Sequence, residues 1–111
     1  MHEDTDVLQT LLQVIREVLA AHSVHLEQVF LFGSRAWGQG SPSSHWDLYV
    51  LVAEDLKPQL RHRLVTEIKR ELARRRIPND IVIQSVERFR RIQRYPGHLS
   101  YEVAREGVPL L

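Results

Sequence analysis

Apolar residues recur at helical spacing near the start of the chain, at Val7, Leu8, Leu11, Leu12, Ile15, Val18 and Leu19. With Asp4 or Thr5 as N-cap, the pattern predicts an amphipathic helix of about four to five turns ending near His22. The pattern then changes. Gln28 to Phe32 is a short apolar run stopping at Gly33, which suits a buried strand. Gly38 to Ser44 holds two glycines, a proline and three serines, the composition of a loop. His45 to Ala53 is rich in β-formers and reads as a second strand. Alternation along it puts His45, Asp47 and Tyr49 on one face, with Trp46, Leu48 and Val50 on the other.

Lys57-Pro58 opens a basic helix whose apolar positions are Leu60, Leu64, Val65, Ile68 and Leu72. It stops around Ile77-Pro78, because proline disfavours helical geometry in the residue before it. Asp80 to Ser85 is a third strand, in which Asp80, Val82 and Gln84 share a face. Val86 to Arg94 reads as a short basic helix interrupted at Pro96-Gly97. Leu99 to Arg105 forms a last helix, closed by Gly107 as a C-cap. The order predicts a small α/β (α+β) domain with helices packed on a three- or four-stranded sheet. Periodicity leaves the strand directions open.

Length and charge add limits. A chain of 111 residues makes one domain and buries roughly two-thirds of its unfolded surface. Without cysteines, disulfides and thiolate metal sites are excluded. No signal peptide and no membrane-length apolar run are visible, so a cytoplasmic location is expected. The net charge of +1 hides a polarity. Residues 1–56 carry Glu3, Asp4, Asp6, Glu17, Glu27, Asp47, Glu54 and Asp55 against Arg16 and Arg35, whereas residues 57–94 carry twelve bases against Glu67, Glu71, Asp80 and Glu87. Such a segment attracts a polyanion or an acidic protein, or is a set of solvated helix faces.

Candidate chemistry gathers at the strand starts. An acid inside an otherwise apolar strand is costly to bury alone, and Asp47 and Asp80 each begin such a run. Gly33-Ser34, ending the first strand, offers exposed amides and a hydroxyl, and a helix beginning there would favour phosphate. Together these parts suggest a nucleoside triphosphate site in which carboxylates hold divalent metal. Singly, each has a plainer reading as a turn, a cap or a surface charge. Trp37, in the turn, is the better candidate for stacking on a base, while Trp46 faces the core. His22 and His25 flank a helix end, where a cation is mildly favourable. His62 is expected to be solvated, and His98 follows Pro96-Gly97.

The sequence resembles the minimal nucleotidyltransferases, small members of the DNA polymerase beta-like superfamily. Their signature is Gly-Ser, about ten residues, Asp-x-Asp in a strand, and a third carboxylate in a later strand. Gly33-Ser34 is followed here by Arg35 to Ser44 and then His45-Trp46-Asp47, while "NDIVIQ" supplies Asp80. "GSRAWG", "DLYVLV" and the ending "SYEVAREGVPLL" are similar to the family's turn, strand and terminal helix. The resemblance spans nearly all of residues 1–111. It implies a single minimal nucleotidyltransferase domain with the polymerase beta-like fold, a small mixed sheet of three to four strands. It also implies a site: Asp47 as catalytic metal ligand, Asp80 as ligand and general base, Gly33 and Ser34 on the terminal phosphates, and Arg35 as a further phosphate contact. ATP would be the substrate and magnesium the metal.

His45 stands where the family has its first carboxylate. Neutral imidazole offers one lone pair, adds no negative charge and cannot bridge two cations. Magnesium prefers oxygen ligands, so manganese or zinc suits a His45, Asp47, Asp80 metal set better. Three readings follow: a degenerate site, a site for one transition metal, or a surface histidine beside a motif kept for the fold.

The resemblance implies transfer of a nucleoside monophosphate, AMP from ATP, to a hydroxyl of a partner protein. The implied partner is a HEPN-type helical toxin modified on tyrosine by its antitoxin, with the basic face of residues 57–94 as docking surface. The alternative is a non-catalytic module that masks a HEPN-type ribonuclease by contact. Direct RNA binding by the basic helices is a third reading, marked by steep salt dependence. Homo-oligomerisation is a further expectation, and membrane binding is not.

Overall fold

The computed structural model describes residues 2–111, with side chains from Asp4 onward. A 20-residue helix, α1 (His2–Ala21), leads into β1 (Leu26–Phe32) and a one-turn 3-10 helix, Ser34–Trp37. Then come β2 (Trp46–Val52), α2 (Pro58–Arg74), β3 (Asn79–Ser85), α3 (Val86–Ile92), α4 (Leu99–Glu106) and β4 (Val108–Pro109). The four strands form one sheet in the order β3-β2-β1-β4. β1 runs antiparallel to β2 and β4, and β2 runs parallel to β3. The sheet is therefore mixed, with helices on both faces.

Strand alternation sorts the core into two layers. On one face Leu48, Val50, Val52, Ile81 and Ile83 meet Leu11, Ile15 and Leu19 of α1 and Leu64, Ile68 and Leu72 of α2. The 3.6-residue repeat places each helix's apolar stripe there, and fully burying each such side chain contributes roughly 1.5–3 kcal/mol. On the other face Tyr49, Leu51, Phe89 and Val103 form a smaller cluster under α3 and α4. Tyr49, fully buried, keeps its hydroxyl bonded to Ser100 Oγ at 2.5 Å. Asp47 and Asp80 belong to this second face, and the small helices that cover it leave the strand starts uncovered.

Several boundaries differ from the sequence pattern, each for a local reason. α1 begins at His2, so Asp4 and Thr5 lie inside its first turn instead of capping it; acids there are favoured by the helix dipole. β1 starts at Leu26, with its register against β2 shifted between Leu26 and Gln28. Gln28 Oε1 accepts from Val29 N and Leu111 N, and its Nε2 donates to Leu111 O. That anchors the last residue and lets Val108 and Pro109 pair with β1, a strand too short and too proline-bearing to show as periodicity. Gly107 caps α4 with φ −67, not in a left-handed conformation. A Cβ there would lie 2.6 Å from Val103 O and 3.2 Å from Phe30 Cβ, so closeness, not φ, requires glycine.

His25 and Glu54 clip β1 to the segment after β2: Glu54 Oε1 accepts from His25 N and Oε2 bonds His25 Nδ1. The bond to Glu54 raises the His25 pKa above its ordinary 6.5, and the same bond lowers that of Glu54 below 4.5. A raised histidine stabilises fully below 6.5 and loses the effect as pH rises through its folded value. A lowered carboxylate stabilises fully above 4.5 and loses it as pH falls through its folded value. The pair's contribution is therefore complete between those ordinary values. Urea midpoints should show the native chain more stable than His25→Gln between the ordinary values of 4.5 and 6.5, with the difference shrinking as pH rises above 6.5.

Candidate active site

The parallel register sets Asp47 directly beside Asp80, and Phe32, the last residue of β1, beside Asp47. Gly33 therefore turns the chain immediately over Asp47. Its φ of 73 and ψ of −162 lie in a region essentially restricted to glycine. A Cβ on Gly33 would stand 2.1 Å from Asp47 Oδ2. Ser34 follows, exposed, at the start of the one-turn helix, and Trp37 at its end is 56% exposed. Trp46, by contrast, is buried in the core.

His45 Nδ1 lies 2.9 Å from Asp80 Oδ2. That bond is the main reason the Asp80 carboxyl titrates below its ordinary range, with a bond to Asp47 and the charges of His45 and Lys69 adding to it. Asp47 moves the other way. Burial raises its pKa most, the bond to Asp80 and that group's charge add to it, and the charge of His45 opposes them. The two carboxyls thus share one hydrogen bond with their affinities for protons pushed apart, Asp80 as the stronger acid.

Arg35 is placed differently from the phosphate contact expected of it. Its Nε donates to Ser44 O at 3.0 Å and Nη2 to Ser41 O at 2.9 Å. Its guanidinium lies 4.2 Å from the Trp46 ring centroid, and Nη1 is 3.9 Å from Asp4 Oδ1. The side chain is spent on stapling the Gly38–Ser44 loop against β2. Gly40 permits this, since a Cβ there would meet Arg35 Cγ at 2.7 Å. Lys69, which no motif marked out, lies beside the site and donates to both Asn79 O and Asn79 Oδ1. With His45, Arg76 and Pro78 it lines an open cleft of about 510 Å³. Its only sequence signal was membership of the basic helix. His62 and His98 are both exposed, and the His98 ring lies beside that of Tyr95.

Residues 13–111 match the family model for polymerase beta nucleotidyltransferases. The chain belongs to that family. Similar solved structures include a toxin–antitoxin with AMP-PNP, at 23% identity and TM-score 0.57, covering 89% of this chain and 71% of that one. Two mutant forms of a toxin–antitoxin MntA–HpeT match at 22% and 25% identity with TM-scores of 0.54 and 0.53. Each covers 87% of this chain, and 69% and 68% of its own. At such identities the likeness is one of fold. A comparison with curated proteins gives no match.

Nucleotidyltransferases of this kind typically use a divalent metal with their nucleotide. The donor set here fits magnesium less well than three carboxylates would, because an imidazole stands in place of one oxygen ligand. One imidazole and two carboxylates are bonded to one another, the imidazole nitrogen facing Asp80. Among the described residues, no group of three or more His, Cys, Asp or Glu is disposed to hold a metal ion. Nor, among them, is any helix long and apolar enough to cross a membrane.

Proposed function

We propose that this nucleotidyltransferase-fold chain is the antitoxin of a two-protein toxin–antitoxin pair, neutralising a HEPN-type helical toxin chiefly by contact. The observation that carries this reading is the His45 to Asp80 bond of 2.9 Å at the position of the family's first acid. It replaces an anionic ligand with a neutral or cationic group and closes the carboxylates on themselves, which weakens binding of a metal triphosphate. The similar toxin–antitoxin structures support a toxin as the partner. The basic face of residues 57–94 supplies charge for docking.

A second reading keeps transfer of AMP from ATP to a hydroxyl of that partner. It is favoured by Gly33-Ser34, where the glycine-only backbone conformation brings the turn directly against the Asp47 carboxylate. One experiment separates the two. Co-expression of the toxin with the native chain and with Asp47→Ala should give equal rescue of growth, and mass spectrometry should find the toxin without added AMP. Rescue lost in Asp47→Ala, with AMP on the toxin only beside the native chain, would establish transfer instead.

A further inference from the structure

β3 is the long strand with an open side: β2 flanks it on one edge and no strand lies on the other. Trp46 N donates to Pro78 O at 2.9 Å. Backbone groups alternate sides along a strand. Asp80, Val82 and Gln84 therefore turn theirs towards β2, while Asn79, Ile81, Ile83 and Ser85 turn theirs outward. The two ends of this outward row are satisfied. Lys69 Nζ donates to Asn79 O at 3.0 Å, and Ser85 N donates to Gln84 Oε1 at 3.1 Å. Between them, the N–H and C=O groups of Ile81 and Ile83 make no hydrogen bond to any strand, side chain or loop among the described residues.

These groups lie along an open groove of about 770 Å³ between the start of α2 and α3. Leu56 and Val65 give it an apolar wall, and Arg61 and Arg88 stand on either side. Neither arginine is in a salt bridge among the described residues. Asp55 is the sole acid in the lining. A row of unpaired backbone donors and acceptors is matched by another extended backbone, as in strand addition to a sheet edge. Two unpaired guanidinium groups select carboxylates.

We propose that the β3 edge takes an extended acidic segment of a protein partner as a fifth strand. The segment bonds to Ile81 and Ile83 through its backbone and to Arg61 and Arg88 through its carboxylates. A second copy of this chain fits the edge less well, because β3-to-β3 pairing would bring two arginine-lined grooves together. The inference is independent of the state of the nucleotide site.

The test uses the isotope-labelled full chain and a capped valine peptide carrying adjacent pairs of glutamates, which strand alternation points to opposite faces. On adding the peptide, amide exchange at Ile81 and Ile83 should slow while the amides of Asp80 and Val82, already bonded to β2, change little. The Arg61→Glu/Arg88→Glu variant should bind it roughly tenfold more weakly, and a valine–lysine peptide should leave the native chain unaffected. Unprotected Ile81 and Ile83 amides at saturating peptide, or equal binding of the lysine peptide, would overturn the proposal. So would sedimentation showing that the chain alone dimerises with those amides protected, which would assign the edge to a second copy.

Discussion

Alanine at Gly33 is expected to destabilise the chain by about 2–4 kcal/mol and to remove any measurable nucleotide binding. Two independent effects combine. The backbone at φ 73 and ψ −162 is strained for any residue with a Cβ. The added methyl also falls 2.1 Å from Asp47 Oδ2. Asp47 cannot retreat along the sheet, because its backbone is in register with Phe32 on one side and Asp80 on the other. Its carboxylate must therefore rotate away, breaking the bond to Asp80. Gly97→Ala is the control: φ is 97 there, but nothing lies within 4 Å of the added Cβ. It should cost about 1 kcal/mol of backbone strain and leave the carboxylates undisturbed. Urea denaturation of both variants, with the carboxyl titrations followed by NMR, reads the two effects separately.

Ile68→Ala is expected to cost about 2–5 kcal/mol, a large share of the roughly 5–15 kcal/mol that holds a domain folded. Ile68 has no exposed surface and sits on α2 between Leu64 and Leu72, against the sheet. Deleting its outer carbons leaves a cavity between layers that rigid strands cannot fill. Ile68→Val should cost only about 0.5–1.5 kcal/mol. The loss reaches the site through the next residue, since Lys69 bonds Asn79 beside Asp80. With α2 loosened, amide exchange should rise along α2 and at Asn79 before it rises in β1. Denaturant midpoints for both variants supply the energies.

The helical stripes and the order of the longer elements were legible in the sequence, because each rests on a period, and Asp47 and Asp80 stood out as acids opening apolar runs, though not as neighbours. Strand direction was not, since alternation is the same in parallel and antiparallel ladders. β4 escaped because Val108 and Pro109 are held by Gln28 and the β1 edge, not by a local pattern. Arg35 looked like a phosphate contact because it follows Gly33-Ser34. Its bonds run instead to loop carbonyls whose positions depend on the fold of residues 38–44. Motif alignment marked His45 as the departure. The Asp80 partner that gives it a role lies thirty-five residues away, and only the packing of β2 beside β3 brings the two together.

If His45 is what weakens a nucleotide site built on Gly33, Ser34, Asp47 and Asp80, calorimetric titration of ATP with magnesium shows it most directly. Binding should be weak or undetectable in the native chain, at least about tenfold tighter in His45→Asp, and absent in Asp47→Ala. Tight magnesium–ATP binding by the native chain, equal to that of His45→Asp and lost in Asp47→Ala, would contradict it.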